Sequence, residues 1–428
     1  MGAMTITIDP AARGHIDDFG ALLTAAPSPF HVAAYVADAL VGAGFGRQEE
    51  ADPWRNSADG RVLVRGGAVV AWRVPGGAGP ETPIRIVGAH TDSPALVLKP
   101  HPDDASVGYR MAAAEVYGGP LLNSWLNRDL GLAGRLVLRD GTSRLVSTGP
   151  LLTIPQLALH LDRAVDQGLV LDPQQHLRPL WGLDAGLGVI DVLAAAAQVD
   201  PARVDAMDIR TFDTQPPETL GAAGELWAAG RLDNLISVHA GLRALLETPV
   251  GEEIQVFAAF DHEEVGSATR SGAAGPLLED VLIRIAHALG ADAEEQRRQR
   301  ARSSVLSCDG AHAVHPNYPE RHDPLHRPVL NGGPVLKVNA RQRYATDAEG
   351  AAVWARACRA AGVTGQVIAS NNSVPCGSTI GPITATRLGL LTVDVGAPML
   401  SMHSARELCG VADPWALSRV IGAYWAGA

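Results

Sequence analysis

One histidine and three carboxylates share a single short stretch of this 428-residue sequence. The stretch reads DHEEVGS (Asp261–Ser267) and directly follows the apolar run IQVFAAF (Ile254–Phe260). Carboxylates packed together repel one another and lose hydration when they are buried. Such a cluster therefore needs either a compensating cation or open water around it, and the rest of the sequence decides between the two.

Further imidazoles and carboxylates follow other apolar runs in the same way. They are His90 and Asp92 in GAHTDSP, Asp309 in SCDGAH and His403 in SMHSARE, with Asp233 of GRLDN at the start of a predicted helix. Because the carboxyl ends of parallel strands meet at one edge of a sheet, we expect these distant positions to converge there. Nitrogen and oxygen ligands with little sulfur nearby suit Zn²⁺, Mn²⁺ or Co²⁺.

These groups are sufficient for a pair of metal ions. Two cations about 3.5–4 Å apart need one bridging anion and terminal ligands on each side. Asp233 is the candidate bridge, and the candidate terminal ligands form two pairs, His90 with Asp309 and Glu264 with His403. Any one of these residues, taken alone, is more often a structural hydrogen-bonding residue. Their number and their placement together favour a metal site.

Two acidic residues beside these ligands have other predicted roles. Asp92 stands two positions beyond His90, where its carboxylate can accept the imidazole N–H and orient the ring. Glu263 precedes Glu264, and a carboxylate beside metal ions can take a proton from water and pass it to a leaving amine. We therefore predict that Glu263 is the general base of a hydrolase and that Asp92 supports it.

The elements that must position these groups follow an α/β pattern. His15–Ala43 has helical spacing interrupted by two prolines, Arg61–Pro75 has the pattern of a hairpin, and Ile84–His90 is typical of a buried strand. From Leu226 onward, helices and apolar strands alternate again. This alternation predicts a mostly parallel sheet flanked by helices.

The stretch from about residue 100 to 225 interrupts that alternation. Short strand-like pieces such as GRLVLRD alternate there with Gly and Pro, whereas IPQLALHLDRAVDQG (Ile154–Gly168) has helical spacing. A chain of this length exceeds what one ordinary core holds. We therefore predict a catalytic domain formed by residues 1–99 and 226–428, with an inserted strand-rich domain at residues 100–225.

The composition excludes several classes of partner. The net charge of −11 argues against nucleic acid and against an anionic membrane surface. The four cysteines are scattered and form no CxxC pair, which fits a reducing cytoplasm rather than a disulfide framework. The N-terminal stretch lacks the pattern of a secretory signal, and no apolar run is long enough for a transmembrane helix.

Taken together, these segments resemble the aspartyl aminopeptidase family of dinuclear zinc metallopeptidases. The resemblance spans nearly the whole chain and rests on long stretches in the family's order, among them GAHTDSPALVLKP, GRLDNLISVHAGLRALLE, FDHEEVGSATRSGA, SCDGAHAVHPNYPERHDP, GPVLKVNARQRYATD and MHSARE. It implies a metallo-aminopeptidase with two divalent ions per chain, most commonly Zn²⁺, that removes an N-terminal residue, preferably Asp or Glu, from short peptides.

The resemblance also implies roles for individual residues. The metal ligands that it implies are His90, Asp233, Glu264, Asp309 and His403, with Asp233 bridging and Glu263 as the base. His160, in ALHLDR, matches a histidine of the inserted domain that reaches a neighbouring subunit's active site and sometimes counts as a further ligand. Lys337, Tyr344 and His312 match residues of the substrate pocket, where a lysine can pair with an acidic side chain.

One departure from the family pattern affects specificity. The family usually carries methionine directly after the metal-binding aspartate, whereas this chain has Gly310. A missing side chain can widen the pocket, so a broad-specificity aminopeptidase acting on neutral or basic residues, or a related deacylase, is the first alternative. A catalytically silent assembly protein on the same fold is the second, although every expected catalytic position is filled.

The resemblance finally implies a homo-oligomer of twelve subunits built from dimers. The inserted domain would contribute the dimer contacts. Enclosed active sites would admit only short or unfolded peptides with a free N-terminus.

Overall fold

The computed structural model describes residues 8–54, 60–183 and 186–428. The first seven residues, part of the N-terminal stretch considered above, lie outside the described residues. No helix in the described ranges is long and apolar enough to cross a membrane. The α-helices are α1 (Pro10–Ala25), α2 (Pro29–Gly42), α3 (Pro173–His176), α4 (Val189–Ala196), α5 (Leu232–Glu247), α6 (Leu277–Ala288), α7 (Ala293–Ala301), α8 (Ala348–Ala361), α9 (Ile380–Leu388) and α10 (Asp413–Trp425).

The strands in the described part of the chain form three sheets. They are β1 (Gly46–Arg47), β2 (Arg61–Arg65), β3 (Ala68–Arg73), β4 (Ile84–His90), β5 (Ala95–Ser106), β6 (Tyr109–Tyr117), β7 (Leu130–Leu138), β8 (Ser143–Ser147), β9 (Leu180–Gly182), β10 (Val204–Asp213), β11 (Glu218–Leu220), β12 (Leu226–Ala229), β13 (Ile254–Phe260), β14 (Ser304–Cys308), β15 (Ala311–His312), β16 (Val335–Val338), β17 (Gln366–Ala369), β18 (Leu391–Gly396), β19 (Pro398–Leu400) and β20 (Glu407–Gly410).

The largest sheet has the order β1-β2-β3-β13-β4-β14-β18-β16-β17. Its four central strands, β13, β4, β14 and β18, are mutually parallel, and the register pairs Phe260 of β13 with His90 of β4. Every residue of β13 is buried, because helices cover both faces of the sheet. The predicted α/β class is therefore confirmed.

Two hydrophobic clusters lie on opposite faces of this sheet. One contains buried residues of α1, α2, α5, α8 and α10, and the other contains buried residues of α6 and α9. The predicted interruption within His15–Ala43 is also confirmed, since α1 ends at Ala25 and α2 begins at Pro29. Proline suits that first helical position because its missing N–H would have no helical partner there.

A second sheet of six strands has the order β8-β7-β10-β5-β6-β9, so its strands come from residues 95–213. It has its own hydrophobic cluster, which includes Leu132, Leu136 and Ile209. A third sheet, β11-β12-β20-β19-β15, was not predicted from the sequence. It joins distant parts of the chain and carries the segment around His403.

The helix predicted at Ile154–Gly168 is wrong. The segment forms turns and a single 3₁₀ turn at Val165–Gln167. Its leucines do not find a buried surface, since Leu157, Leu159 and Leu161 are 57%, 51% and 75% exposed. Most helical stability in proteins comes from packing of an apolar face, so spacing alone does not produce a helix here.

Candidate metal centre

The predicted ligands converge at the carboxyl edge of the central parallel strands. β13, β4, β14 and β18 are adjacent, so the turns that follow them surround one cavity of about 210 Å³. The cavity is lined by His90, Asp233, Glu263, Glu264, Asp309, Gly310, His312, Lys337, Tyr344, Gly377, Ser378, Thr379, Met402 and His403.

Asp233 lies between the two histidines of the cavity. Its Oδ1 is 3.4 Å from His90 Nε2, and its Oδ2 is 3.5 Å from His403 Nε2. The carboxylate therefore presents one oxygen to each imidazole, as a bridging ligand between two cations would. Asp233 is 4% exposed. Two positions before it, Arg231 has a left-handed backbone conformation, and a cis peptide bond joins Asp233 to Asn234.

The remaining candidate ligands complete two groups that share Asp233. Asp309 Oδ1 is 3.4 Å from His90 Nε2, and Glu264 Oε2 is 3.4 Å from His403 Nε2. In each group, one candidate ligand atom per residue lies within 4.8 Å of the others. Two buried oxygens, Asp233 Oδ1 and Glu264 Oε1, have no hydrogen-bond partner among the described residues. Buried acceptors without partners are costly, so this donor set fits divalent cations.

Each imidazole is oriented by a backbone carbonyl. His90 Nδ1 donates to the backbone oxygen of Asp92 at 3.0 Å, and His403 Nδ1 donates to the backbone oxygen of Gly119 at 2.9 Å. In both rings Nε2 is left to face the carboxylates. A hydrogen bond at one ring nitrogen that directs the other toward a metal is the usual arrangement for histidine ligands.

The carboxylate of Asp92 holds the DHEE turn rather than the imidazole. Its Oδ1 accepts from Glu263 N at 3.1 Å, while Oδ2 accepts from Glu264 N at 3.1 Å and from the Tyr117 hydroxyl at 2.7 Å. The same Oδ1 is 3.4 Å from His90 Nδ1, farther than the backbone oxygen that the ring uses. Asp92 thus positions both glutamates through their backbone.

The site is strongly electronegative. Burial alone would lower the pKa of His403, but a hydrogen bond to Asp233 and the charges of Glu264 and Asp233 outweigh it and raise that pKa to about 10. Burial raises the pKa of Glu263 to about 7, with nearby carboxylates contributing in the same direction. The pKa of His403, raised by carboxylates despite burial, shows a negative potential at the site that attracts cations.

The structure adds Glu407, which sequence analysis missed. Its buried carboxylate accepts from Asp233 N at 3.0 Å and from His403 N at 2.7 Å, linking two candidate ligands. Burial, followed by the charge of Asp233, raises the pKa of Glu407 to about 8. The sequence did contain a sign of this residue, since Glu407 is the first residue of the otherwise apolar strand β20. Tyr117, which contacts Asp92, had no comparable signal.

The three predicted pocket residues line the same cavity. Lys337 is buried, and its Nζ is 3.1 Å from Asp309 Oδ2 and 5.4 Å from the centre of the Tyr344 ring. Burial lowers the pKa of His312 and raises that of Tyr344. His160 is exposed and does not line the cavity of its own chain.

The chain is also similar to known proteins along nearly its whole length. A family model described as "Aminopeptidase I zinc metalloprotease (M18)" matches residues 22–425. The chain belongs to the M18 family of metallo-aminopeptidases. It is 53% identical over 424 residues to the "Probable M18 family aminopeptidase 2" of Streptomyces avermitilis, an alignment that covers 97% of this chain and 98% of that protein.

Solved structures support the same M18 membership. The complex of Ape4 and Nbr1 contains a chain that matches with a TM-score of 0.94 and 32% identity, covering 97% of this chain and 86% of that one. The mApe1 dodecamer of S. cerevesiae matches with a TM-score of 0.84 and 26% identity, covering 97% of each chain. The family is described as zinc metalloproteases, and zinc accepts the imidazole and carboxylate ligands found here.

Proposed function

We propose that this M18 aminopeptidase uses two divalent cations, most commonly Zn²⁺, to remove the N-terminal residue of short peptides. The observation that carries the proposal is the placement of Asp233, whose two oxygens face His90 and His403 separately. His90 and Asp309 would hold one ion, Glu264 and His403 the other, and Asp233 would bridge them. Mn²⁺ and Co²⁺ suit the same ligands.

Different residues of the chain have different roles in the proposed reaction. Bound cations would supply Lewis acidity toward the scissile carbonyl and toward water. Glu263 takes the proton from the attacking water and returns it to the leaving amine. Glu263 lines the cavity beside the candidate ligands, where its carboxylate can accept a proton from water and release it to the amine. Asp92 holds Glu263 in place through the backbone N–H of that residue.

We propose that acidic N-terminal residues are preferred, with Lys337 as the cation closest to a bound side-chain carboxylate. Tyr344 and His312 complete that part of the cavity. A specific contact favours the second candidate, an aminopeptidase that accepts neutral residues. The ammonium of Lys337 already pairs with Asp309 at 3.1 Å, so an acidic substrate must share it.

We further propose that residues 100–225 form an inserted domain that mediates dimers, and that dimers assemble into a dodecamer. The separate hydrophobic cluster of the six-stranded sheet supports a distinct domain. The exposed leucines around His160 support a subunit contact that would bring this histidine to a partner's site. The four free cysteines support a cytoplasmic location. Mass determination in solution tests the assembly.

Adjacent glutamates provide a matched pair of variants that tests the mechanism. Glu263→Gln should retain two metal ions per chain and lose about 10²–10⁴-fold in kcat, the usual contribution of general acid–base catalysis. Glu264→Gln should lose metal affinity as well as activity. Both proteins would be stripped of metal, reconstituted with Zn²⁺, Mn²⁺ or Co²⁺, and assayed with Asp-, Glu-, Leu- and Lys-aminomethylcoumarin amides.

The results separate the candidates. Metal-dependent turnover led by Asp and Glu supports the acidic preference, whereas turnover led by Leu or Lys supports the broader enzyme. Near wild-type turnover of Glu263→Gln would remove this residue from the base role. Two bound ions without turnover on any amide, including N-acylated ones, would indicate an assembly protein.

A further inference from the structure

Gly310 lies directly against two methionine side chains. A Cβ atom built on Gly310 would lie 2.8 Å from Met399 Cε and 3.0 Å from Met402 Cε. Carbon atoms in contact are separated by about 3.5–4.0 Å, so even an alanine here would require both thioethers to move. The space at the missing Cβ of Gly310 is therefore occupied by the ends of the Met399 and Met402 side chains.

The two methionines differ in their relation to the cavity. Met399 lies in β19 and is 1% exposed, packed in the core beneath the site. Met402 is half-buried and lines the cavity together with Lys337 and Tyr344. The thioether of Met402 is thus an apolar part of the cavity wall, and the buried side chain of Met399 lies beside the same glycine.

We propose that Met402 sets the depth of the pocket for the substrate's N-terminal side chain. The inference rests on the proposed aminopeptidase function and names the class of substrate. Lys337 contributes to recognition of acidic side chains, whereas Met402, which lines the same cavity, limits the size of the uncharged side chains that can enter it. Bulky aromatic side chains should therefore bind less well than small ones while the Met402 thioether forms part of the wall.

Shortening Met402 tests this directly. Met402→Ala should raise the ratio of kcat/KM for the Phe amide to that for the Ala amide by about tenfold or more, the usual effect of a few methylene groups in an apolar pocket. Met402→Leu keeps the volume and should keep that ratio near the wild-type value. Met399→Leu is the control for the core behind the wall and should leave the activity on the Ala amide unchanged.

Metal content must be measured in each variant, because Met402 precedes the candidate ligand His403. Met402→Ala with two ions per chain and an unchanged Phe-to-Ala ratio would overturn the inference. If Met402→Ala loses its metal, Met402→Gln is tested in its place. Glutamine has a similar length to methionine, so the Phe-to-Ala ratio of kcat/KM should stay unchanged. A raised ratio in Met402→Gln would also overturn the inference. If the wild-type protein itself hydrolyses no amide with any metal, the proposed function fails instead.

Discussion

The three hydrogen bonds to the carboxylate of Asp92 allow a quantitative prediction. The Asp92 side chain is fully buried, and its carboxylate accepts from two backbone N–H groups and from the Tyr117 hydroxyl. Burial alone would raise its pKa, but His90 and Tyr117 outweigh burial and hold the pKa at about 2, so the group is ionised at neutral pH. Asp92→Asn replaces one acceptor oxygen with an NH₂ group.

The loss in free energy of unfolding depends on which hydrogen-bond donor loses its acceptor. In either orientation of the amide, the backbone N–H of Glu263 or that of Glu264 faces a donor. A buried donor without a partner costs about 1–3 kcal/mol, and the remaining bonds lose the assistance of the charge, so we expect about 2–4 kcal/mol in total. Because outer hydrogen bonds hold the ligands, metal affinity should fall about 10–100-fold.

The assay compares metal-loaded Asp92→Asn with Tyr117→Phe. Tyr117→Phe removes one donor and keeps the carboxylate, so it should cost only about 1 kcal/mol. Chemical denaturation gives the free energies of unfolding, and competition with a chelator gives the metal affinities. Wild-type stability and affinity in Asp92→Asn would refute the argument. Equal losses in the two variants would show that the Tyr117 hydroxyl, rather than the backbone of the turn, is the important contact.

The remaining predictions concern the metal, an ion pair and a buried histidine. Removing metal with a chelator should abolish hydrolysis and lower the free energy of unfolding by about 2.7 kcal/mol for each ion that had been present at 100 times its Kd, as differential scanning calorimetry can measure. Lys337→Met should destabilise the metal-free protein by about 1.5–3 kcal/mol, because Asp309 loses a charged hydrogen-bond donor and keeps only His90 as an ion-pair partner among the described residues; no change in the unfolding midpoint would contradict this. Burial lowers the pKa of His15 to about 3, whereas the unfolded chain takes up the proton near pH 6.5, so stability should fall as the pH drops below about 6.5, by up to about 1.4 kcal/mol per pH unit. His15→Leu should reduce that slope in denaturation curves measured between pH 7 and 5, and an unchanged slope would refute the assignment.

Much of the catalytic sheet was predictable because its strands are buried on both faces. Ile84–His90 and Ile254–Phe260 are mostly apolar, with Arg85, His90 and Gln255 as the exceptions, and both form strands with these bounds. The helix predicted at Ile154–Gly168 failed for a complementary reason. Its spacing describes an apolar face, but burial of that face depends on a surface that the local sequence cannot specify.

The convergence of the candidate ligands was also predictable, whereas their detailed partners were not. Strand ends in a parallel sheet share an edge, so His90, Asp309 and the DHEE turn had to be neighbours. The Asp92 carboxylate holds the turn, whereas the Asp92 backbone oxygen orients His90. These choices of partner depend on differences in distance of a few tenths of an ångström.

The sequence by itself determined the α/β class, the identity of the candidate ligands and the family. These follow from local hydrophobic runs and from the chemistry of side chains beside them, which need no knowledge of distant contacts. Only the tertiary structure decided that Glu407 links Asp233 and His403, and that Met402 occupies the space beside Gly310. The Asp233–Glu407 contact and the Gly310–Met402 contact join segments far apart in the chain, so they depend on sheet order and on packing that no local pattern contains.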